Sequence, residues 1–175
     1  MIETISGSGS YVARGNLDVI SKAVATYSSL INDEKASNDL VEFRVLIEGA
    51  ALNRLARSER DKQARVERLI DILEDMRGES DPAVFGELDS KFHIQILESC
   101  NNAFINMIGK ALYSHYQSCI GHAHAMATLG MREDTVAEHD AIIQALIASD
   151  GEAARLALEK HLSAAKERSE LMGIH

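Results

Sequence analysis

The chain has 175 residues, 46% of them hydrophobic and 26% charged, with a formal net charge of −9. This length suits one compact domain, and the apolar fraction excludes an intrinsically disordered chain. The acidic balance argues against tight nucleic-acid binding by this chain alone, since phosphate binding requires clustered Lys and Arg.

The composition favours helices and a cytoplasmic location. Pro82 is the only proline, tryptophan is absent, and the sequence is rich in Ala, Leu, Ile and Glu, which predicts an all-α fold. No run approaches the roughly 18 consecutive apolar residues of a membrane span, and Met1 is not followed by a signal-peptide core. We therefore expect a cytoplasmic protein without a membrane partner, in which Cys100 and Cys119 are reduced thiols.

The N-terminal segment, residues 1–15, differs from the rest. Gly7-Ser8-Gly9-Ser10 is typical of a loop, and the following Tyr11-Val12-Ala13-Arg14 is a short β-like run. This segment is predicted to be separate from a helical domain over residues 16–175. A flexible linker is the alternative interpretation of the Gly and Ser residues.

From there on, apolar residues recur at helical spacing, and turn residues separate the periodic segments. Asn38 and the pair Asp81-Pro82 are predicted to begin helices, and Gly130 to end one. Because the connections are short, the sequence predicts an antiparallel bundle of about six to seven helices. The predicted helices, in chain order, span residues 17–30, 38–58, 61–76, 82–99, 103–128, 133–148 and 152–172.

Four side chains in three of these helices have the spacing of a metal site. Asp89 and His93 stand four residues apart, so they project from the same helix face. His139 and His161 each lie eleven residues from Asp150 in the turn between the last two helices. Equal distance from the turn places both at the same height in an antiparallel pair. One carboxylate and three imidazoles suit a divalent transition metal, zinc first, with nickel or manganese as alternatives.

Simpler interpretations of these residues stay open. An Asp and a His at i,i+4 are common on solvated helix faces, and a half-buried histidine is often satisfied by a backbone carbonyl. We interpret His115, His122 and His124, in the fifth predicted helix, as surface or pocket-lining residues.

Several segments resemble the C-terminal sensory domain of the FadR subfamily of GntR transcriptional regulators, the FCD domain. The resemblance covers about residues 41–171 and rests on residues 42–51, 88–94, 99–102 and 139–146, with Asp150, Ala153 and His161-Leu162. It implies a homodimeric regulator rather than an enzyme, in which a small carboxylate effector binds beside the metal. The metal ligands that it implies are Asp89, His93, His139 and His161.

Residues 7–14 are similar to the tip and last strand of the wing that ends this family's winged helix-turn-helix domain. The resemblance implies that operator DNA is bound only through an N-terminal winged-helix domain whose recognition helix lies upstream of this chain. Residues 1–15 would then be a remnant of the wing.

Two residues are candidates for contact with the effector. Arg44 can grip a carboxylate with its planar guanidinium, and its alternative is an i,i+4 ion pair with Glu48. Asn102 can donate to the ligand, and its alternative is to cap the fifth helix.

Two other functions compete with the sensor. A metal-dependent phosphohydrolase of the HD type would use the adjacent pair His139-Asp140, with His93 and Asp150 as outlying ligands. A helical dimerisation module without any metal is the third possibility.

Overall fold

A computed structural model of the chain describes residues 2–5, 9–12, 23, 26, 34–107, 109 and 129–171. Within these residues, helices form all of the regular secondary structure beyond a short N-terminal hairpin, so the predicted all-α class is confirmed. Residues 103–107 are helical as well. The other elements are β1 (Ile2–Ile5), β2 (Gly9–Val12), α1 (Glu34–Ala56), α2 (Lys62–Gly78), α3 (Pro82–Ser99), α4 (Leu129–Ile147) and α5 (Gly151–Leu171).

The N-terminal hairpin joins β1 and β2 in antiparallel register, with Ile2 opposite Val12 and Ile5 opposite Gly9. The sequence predicted a β-like run only over residues 11–14 and missed β1. Its sequence Ile-Glu-Thr-Ile is rich in β-branched residues, which favour strands, but it does not alternate between apolar and polar residues. The predicted helix over residues 17–30 lies largely outside the described residues.

The start of α3 follows the prediction. The Asp81 carboxylate accepts hydrogen bonds from the backbone N–H groups of Ala83 at 2.8 Å and Val84 at 3.2 Å. Pro82 occupies the first helical position, where its missing N–H costs nothing. A side-chain cap of this kind contributes about 1 kcal/mol, and it fixes where the helix that carries Asp89 and His93 begins.

Two predicted boundaries are wrong. Asn38 does not cap a helix, because α1 already begins at Glu34 and its good helix formers Glu, Lys and Ala extend it upstream. Gly130 does not end a helix, since it is the exposed second residue of α4, a helix of 19 residues, and the low propensity of one glycine costs only about 1 kcal/mol. Residues 110–128, with Cys119, His115, His122 and His124, lie outside the described residues.

The helices pack around one core. α5 packs against both α1 and α4, α2 packs against α3 and α4, and α1 also contacts α3. α4 and α5 form an antiparallel hairpin, whose turn contains Ser149 at a φ of 61°. Cys100 is a free, buried thiol. The largest fully buried side chains are Phe85, Phe92, Leu52, Leu55, Leu69, Leu73, Met76, Ile96, Ile142, Ile143, Leu146 and Leu158.

The close contact of α1 with α5 depends on a glycine. A Cβ added at Gly151, the first residue of α5, would lie 2.8 Å from the Cα of Asn53 in α1. No side chain fits there without a backbone shift. Across the described residues, no helix has both the length and the apolar character that a membrane crossing needs.

Candidate metal centre

α3, α4 and α5 bring four buried side chains together in the middle of the bundle. Their relative exposure is between 0% and 5%. One ligand atom from each lies within 4.8 Å of the ligand atoms of the others. We call this group the four-residue cluster: Asp89 and His93 from α3, His139 from α4, and His161 from α5.

The ring nitrogens converge on a common point. The Nε2 atom of His161 lies 3.1 Å from Nε2 of His93 and 3.3 Å from Nε2 of His139. Nε2 of His139 also lies 3.4 Å from Oδ1 of Asp89. All three imidazoles therefore present the same nitrogen to one another and to the carboxylate.

The local sequence explains this arrangement. Asp89 and His93 share a face of α3 because they are one helical turn apart. His139 and His161 lie at equal distances from the α4–α5 turn and meet across the hairpin. The ring of His139 also stacks on Phe92, with ring centroids 4.1 Å apart and planes inclined by 13°. Phe92, a residue of the apolar core, thereby packs against one face of the His139 imidazole.

A buried carboxylate on α1 forms a hydrogen bond with Nδ1 of His93, the ring nitrogen that faces away from the other histidines. Nδ1–H of His93 donates to Oε2 of Glu48 at 2.7 Å, and Nε–H of Arg44 donates to Oε1 of Glu48 at 2.7 Å. Burial raises the pKa of Glu48, but Arg44 and His93 together outweigh burial and hold the pKa at about 2. Glu48 is therefore ionised, so it can only accept, and the proton of this hydrogen bond belongs to His93.

A second carboxylate supports His161 in the same way. Nδ1–H of His161 donates to Oε2 of Glu138 at 2.8 Å, and both terminal nitrogens of Arg168 donate to Glu138, at 2.9 Å and 2.8 Å. Burial raises the pKa of Glu138, but Arg168 and His161 outweigh it and hold the pKa at about 2. The two supported histidines thus share one tautomer.

This tautomer fits a metal ion between the rings. With hydrogen on Nδ1, each ring has Nε2 as its ligand atom, and the Nε2 atoms of His93 and His161 lie 3.1 Å apart. In a tetrahedral site, two nitrogens that bind one zinc ion at about 2.0–2.1 Å would lie roughly 3.3–3.4 Å apart, close to the 3.1 Å and 3.3 Å between these Nε2 atoms. The residues therefore fit a divalent transition metal.

Burial also favours the neutral rings that metals require. It is the largest influence on the pKa of His139, which lies well below the usual value, and on the pKa of His161, which is also lowered. Neutral imidazole is the form that binds a metal ion.

The two predicted effector residues lie in different places. Arg44 is buried beside the cluster, and it forms the ion pair with Glu48 that the sequence left open as its alternative. Asn102 accepts hydrogen bonds from the backbone N–H groups of Phe104 at 3.0 Å and Ile105 at 3.3 Å, so it caps the segment 103–107. It lines a cleft that includes no member of the four-residue cluster.

Glu138 and Arg168 were not predicted as site residues from the sequence. A signal existed for Arg168, which follows His161 by seven residues and therefore lies on the same helix face two turns later. No comparable signal identified Glu138, because it directly precedes His139 and adjacent helical residues point in different directions.

The geometry differs from that of an HD phosphohydrolase. Oδ1 of Asp140, 38% exposed, accepts a hydrogen bond from Arg77 at 3.0 Å. Asp150 is exposed and caps α5 by accepting from the N–H of Ala153 at 2.9 Å. Neither carboxylate belongs to the four-residue cluster, although that mechanism needs both as ligands.

Comparisons with known proteins agree with this architecture. The chain is 25% identical over 140 residues to proteins of Escherichia coli strain K12 and Shigella flexneri that are named as regulatory proteins of the L-lactate dehydrogenase operon. The match covers 77% of this chain and 52% of each relative. The chain therefore spans about half the length of the curated relatives it matches.

A solved structure has the same fold. Streptococcus agalactiae GntR matches with a TM-score of 0.65 and 22% identity, over 95% of this chain and 74% of that one. The sequence profile of the FCD domain matches residues 39–164, which include all four members of the cluster. The chain therefore belongs to the FCD domain family, as its resemblance to GntR-type regulators predicted.

Proposed function

We propose that this chain is the effector-sensing and dimerisation domain of a GntR-type transcriptional regulator, and that its four-residue cluster holds a divalent transition metal. The observation that carries the proposal is the convergence of three imidazole nitrogens and one carboxylate oxygen within 4.8 Å in the buried core. The ligand set of nitrogen and oxygen suits zinc, with nickel and manganese as alternatives. A metal bound here would supply positive charge and a coordination position for a further ligand.

The proposed effector is a small carboxylic acid. A carboxylate is costly to bury unless a cation compensates for it, and a bound metal would be the largest positive charge in the site. Arg44 adds to the positive electrostatic potential of the site, since its charge is among the influences that lower the pKa of His139. A contact between Asn102 and the effector stays a prediction.

Hydroxy and keto acids are the favoured class. Their second oxygen lets the acid hold one cation through two atoms. The curated relatives are named for the L-lactate dehydrogenase operon, and lactate is such a hydroxy acid, which makes it the first compound to test here.

The effector would act on DNA binding by linkage. A ligand that prefers one arrangement of the helices shifts the population towards that arrangement. In a homodimer this shift would change the spacing of two attached DNA-binding domains. We propose that the β1–β2 hairpin, within residues 1–15, ends the wing of such a winged-helix domain, and that residues 16–175 form the sensory domain. The antiparallel pairing of β1 with β2 supports this assignment.

A calorimetric titration tests the effector site. L-lactate and a panel of hydroxy, keto and plain carboxylic acids are titrated into zinc-loaded chain and into chelator-treated chain. We expect binding by the zinc-loaded form alone. Equal binding by the chelated form would overturn the metal-bridged site, and no binding by either form would overturn the choice of acids.

Variants refine the same titration. At saturating zinc, Arg44→Ala is expected to weaken acid binding roughly tenfold, the loss of one charge-assisted contact. Arg77→Ala is the matched control, because Arg77 pairs with Asp140 on the surface. A similar loss in both variants would show that Arg44 has no particular role towards the acid.

A further inference from the structure

Two hydrogen-bonded triads connect the four-residue cluster to residues around it. The first connects Arg44, Glu48 and His93, and the second connects Arg168, Glu138 and His161. In each triad an arginine donates to a glutamate, and the glutamate also accepts a hydrogen bond from Nδ1–H of a cluster histidine. The same chemistry thus arises twice, from different helices.

We infer that Glu48 and Glu138 are positioning residues that fix the tautomer and the orientation of His93 and His161, so that both Nε2 lone pairs face the centre of the cluster. The inference rests on the proposed metal site, which it deepens by naming the groups that prepare it. Each glutamate also accepts hydrogen bonds from an arginine, whose guanidinium can only donate, so its carboxylate is arranged as an acceptor for the histidine N–H. Rotating either ring, or moving its proton to Nε2, would remove the hydrogen bond and leave a buried (Glu48) or half-buried (Glu138) carboxylate with one partner fewer.

The third imidazole provides an internal comparison. Nδ1 of His139 is buried and has no hydrogen-bond partner among the described residues. Its ring is held by stacking on Phe92 instead. The tautomer of His139 should therefore not depend on either glutamate.

The two triads differ in burial, and this difference predicts which of them matters more for metal affinity. The side chain of Glu48 is 3% exposed and that of its partner Arg44 is 11% exposed, whereas Glu138 and Arg168 are 16% and 17% exposed. Water and salt screen a charge more strongly where it is partly exposed. Neutralising Glu48 should therefore cost more metal affinity than neutralising Glu138.

Nuclear magnetic resonance of the metal-free chain, with isotope-labelled histidines, tests the inference directly. The ring-nitrogen chemical shifts distinguish a nitrogen that carries hydrogen from one that carries a lone pair. We expect hydrogen on Nδ1 of His93 and His161. Glu48→Gln should alter the tautomer of His93 alone, because an amide can accept or donate, and Glu138→Gln should alter that of His161 alone.

Zinc affinity, measured by competition with a chromophoric chelator, is the second readout. Each variant should bind zinc roughly 10–100-fold more weakly than the unchanged chain, with the larger loss for Glu48→Gln. Glu152→Gln is the matched control, since Glu152 is exposed and pairs with Arg155 away from the cluster. If Glu48→Gln fails to fold, Glu138→Gln, at a less buried position, still decides the question.

The outcomes separate the inference from the proposed function. Hydrogen on Nε2 of His93 and His161 in the unchanged chain would overturn the inference whether or not zinc binds. Tautomers that do not respond to either substitution would overturn it too. If the tautomers respond as expected but the unchanged chain binds no zinc, the positioning role stands and the proposed metal site fails.

Discussion

His139 shows most clearly how one residue is committed to the cluster. Its side chain is fully buried, and its Nε2 atom is within 3.4 Å of both Asp89 and His161. A buried polar ring costs free energy unless it has a partner. A metal ion shared with its neighbours would be such a partner, which explains why a histidine occupies a core position.

The first prediction concerns His139→Ala, which should lose most of its bound metal, because removal of one imidazole leaves an incomplete ligand set. Metal content after dialysis, measured by mass spectrometry, checks this. Asp140→Asn is the control, since Asp140 pairs with Arg77 outside the cluster and should retain full occupancy. Loss of metal in Asp140→Asn alone would favour the HD-type mechanism instead.

For single residues, the sequence was informative wherever the spacing along a helix fixes the direction of a side chain. The separation of Asp89 and His93 places them on one helix face, and the turn at Asp150 relates His139 to His161. Glu138 was not predictable, because its contact with His161 depends on how α4 and α5 are rotated about their axes. That rotation is set by packing of the whole core, which no local pattern records.

Among the helices, the α1–α5 contact positions the Glu48 support relative to the cluster. The second prediction is that Gly151→Ala lowers the free energy of unfolding by about 1–3 kcal/mol, since overpacking forces backbone shifts of this cost. The added Cβ would meet the Cα of Asn53 at 2.8 Å. Denaturant unfolding of the chain measures the change.

Gly78→Ala is the matched control for that substitution. A Cβ at Gly78 would meet nothing within 4 Å, and the residue lies in the last turn of α2. Alanine there should be neutral or stabilising by up to about 1 kcal/mol, from its higher helix propensity. Equal destabilisation by both substitutions would show that the close approach of α1 and α5 is not the cause.

A helix boundary was predictable where a capping side chain and the backbone preference of the next residue both favour a helix start. Asp81 and Pro82 specify the start of α3, and the structure has the cap that they predict. Asn38 and Gly130 gave weaker signals, and each lies at an exposed position within a helix because its neighbours outweigh a single unfavourable propensity. The strand β1 was missed because its four residues are few and do not alternate between apolar and polar side chains.

For the molecule as a whole, charge limits what this chain can do alone. The third prediction is that it forms a homodimer in solution but binds no operator DNA, because its net charge is −9 and an acidic surface repels phosphates. Analytical ultracentrifugation and gel-shift assays measure both properties. A monomer would count against the proposed dimerisation role, and tight operator binding would contradict the proposed dependence on a separate winged-helix domain.

Metal binding should also stabilise the entire fold, which is the fourth prediction. Zinc at one hundred times its dissociation constant adds about 2.7 kcal/mol if it binds the folded state only. For a chain of this size that corresponds to a rise in Tm of roughly 5–10 °C. Thermal unfolding with and without zinc checks it, and a chelator should reverse the shift. An unchanged Tm at saturating zinc would speak against a site built into the core.

The metal content of the chain, purified without a histidine tag, shows whether the four-residue cluster is a metal site. The four-residue cluster, with its three converging Nε2 atoms and one carboxylate, predicts one divalent transition metal ion per chain, removable by chelation and restored by added zinc, nickel or manganese. A folded chain that contains no such ion, and that takes up none of these metals when they are supplied, would contradict the account.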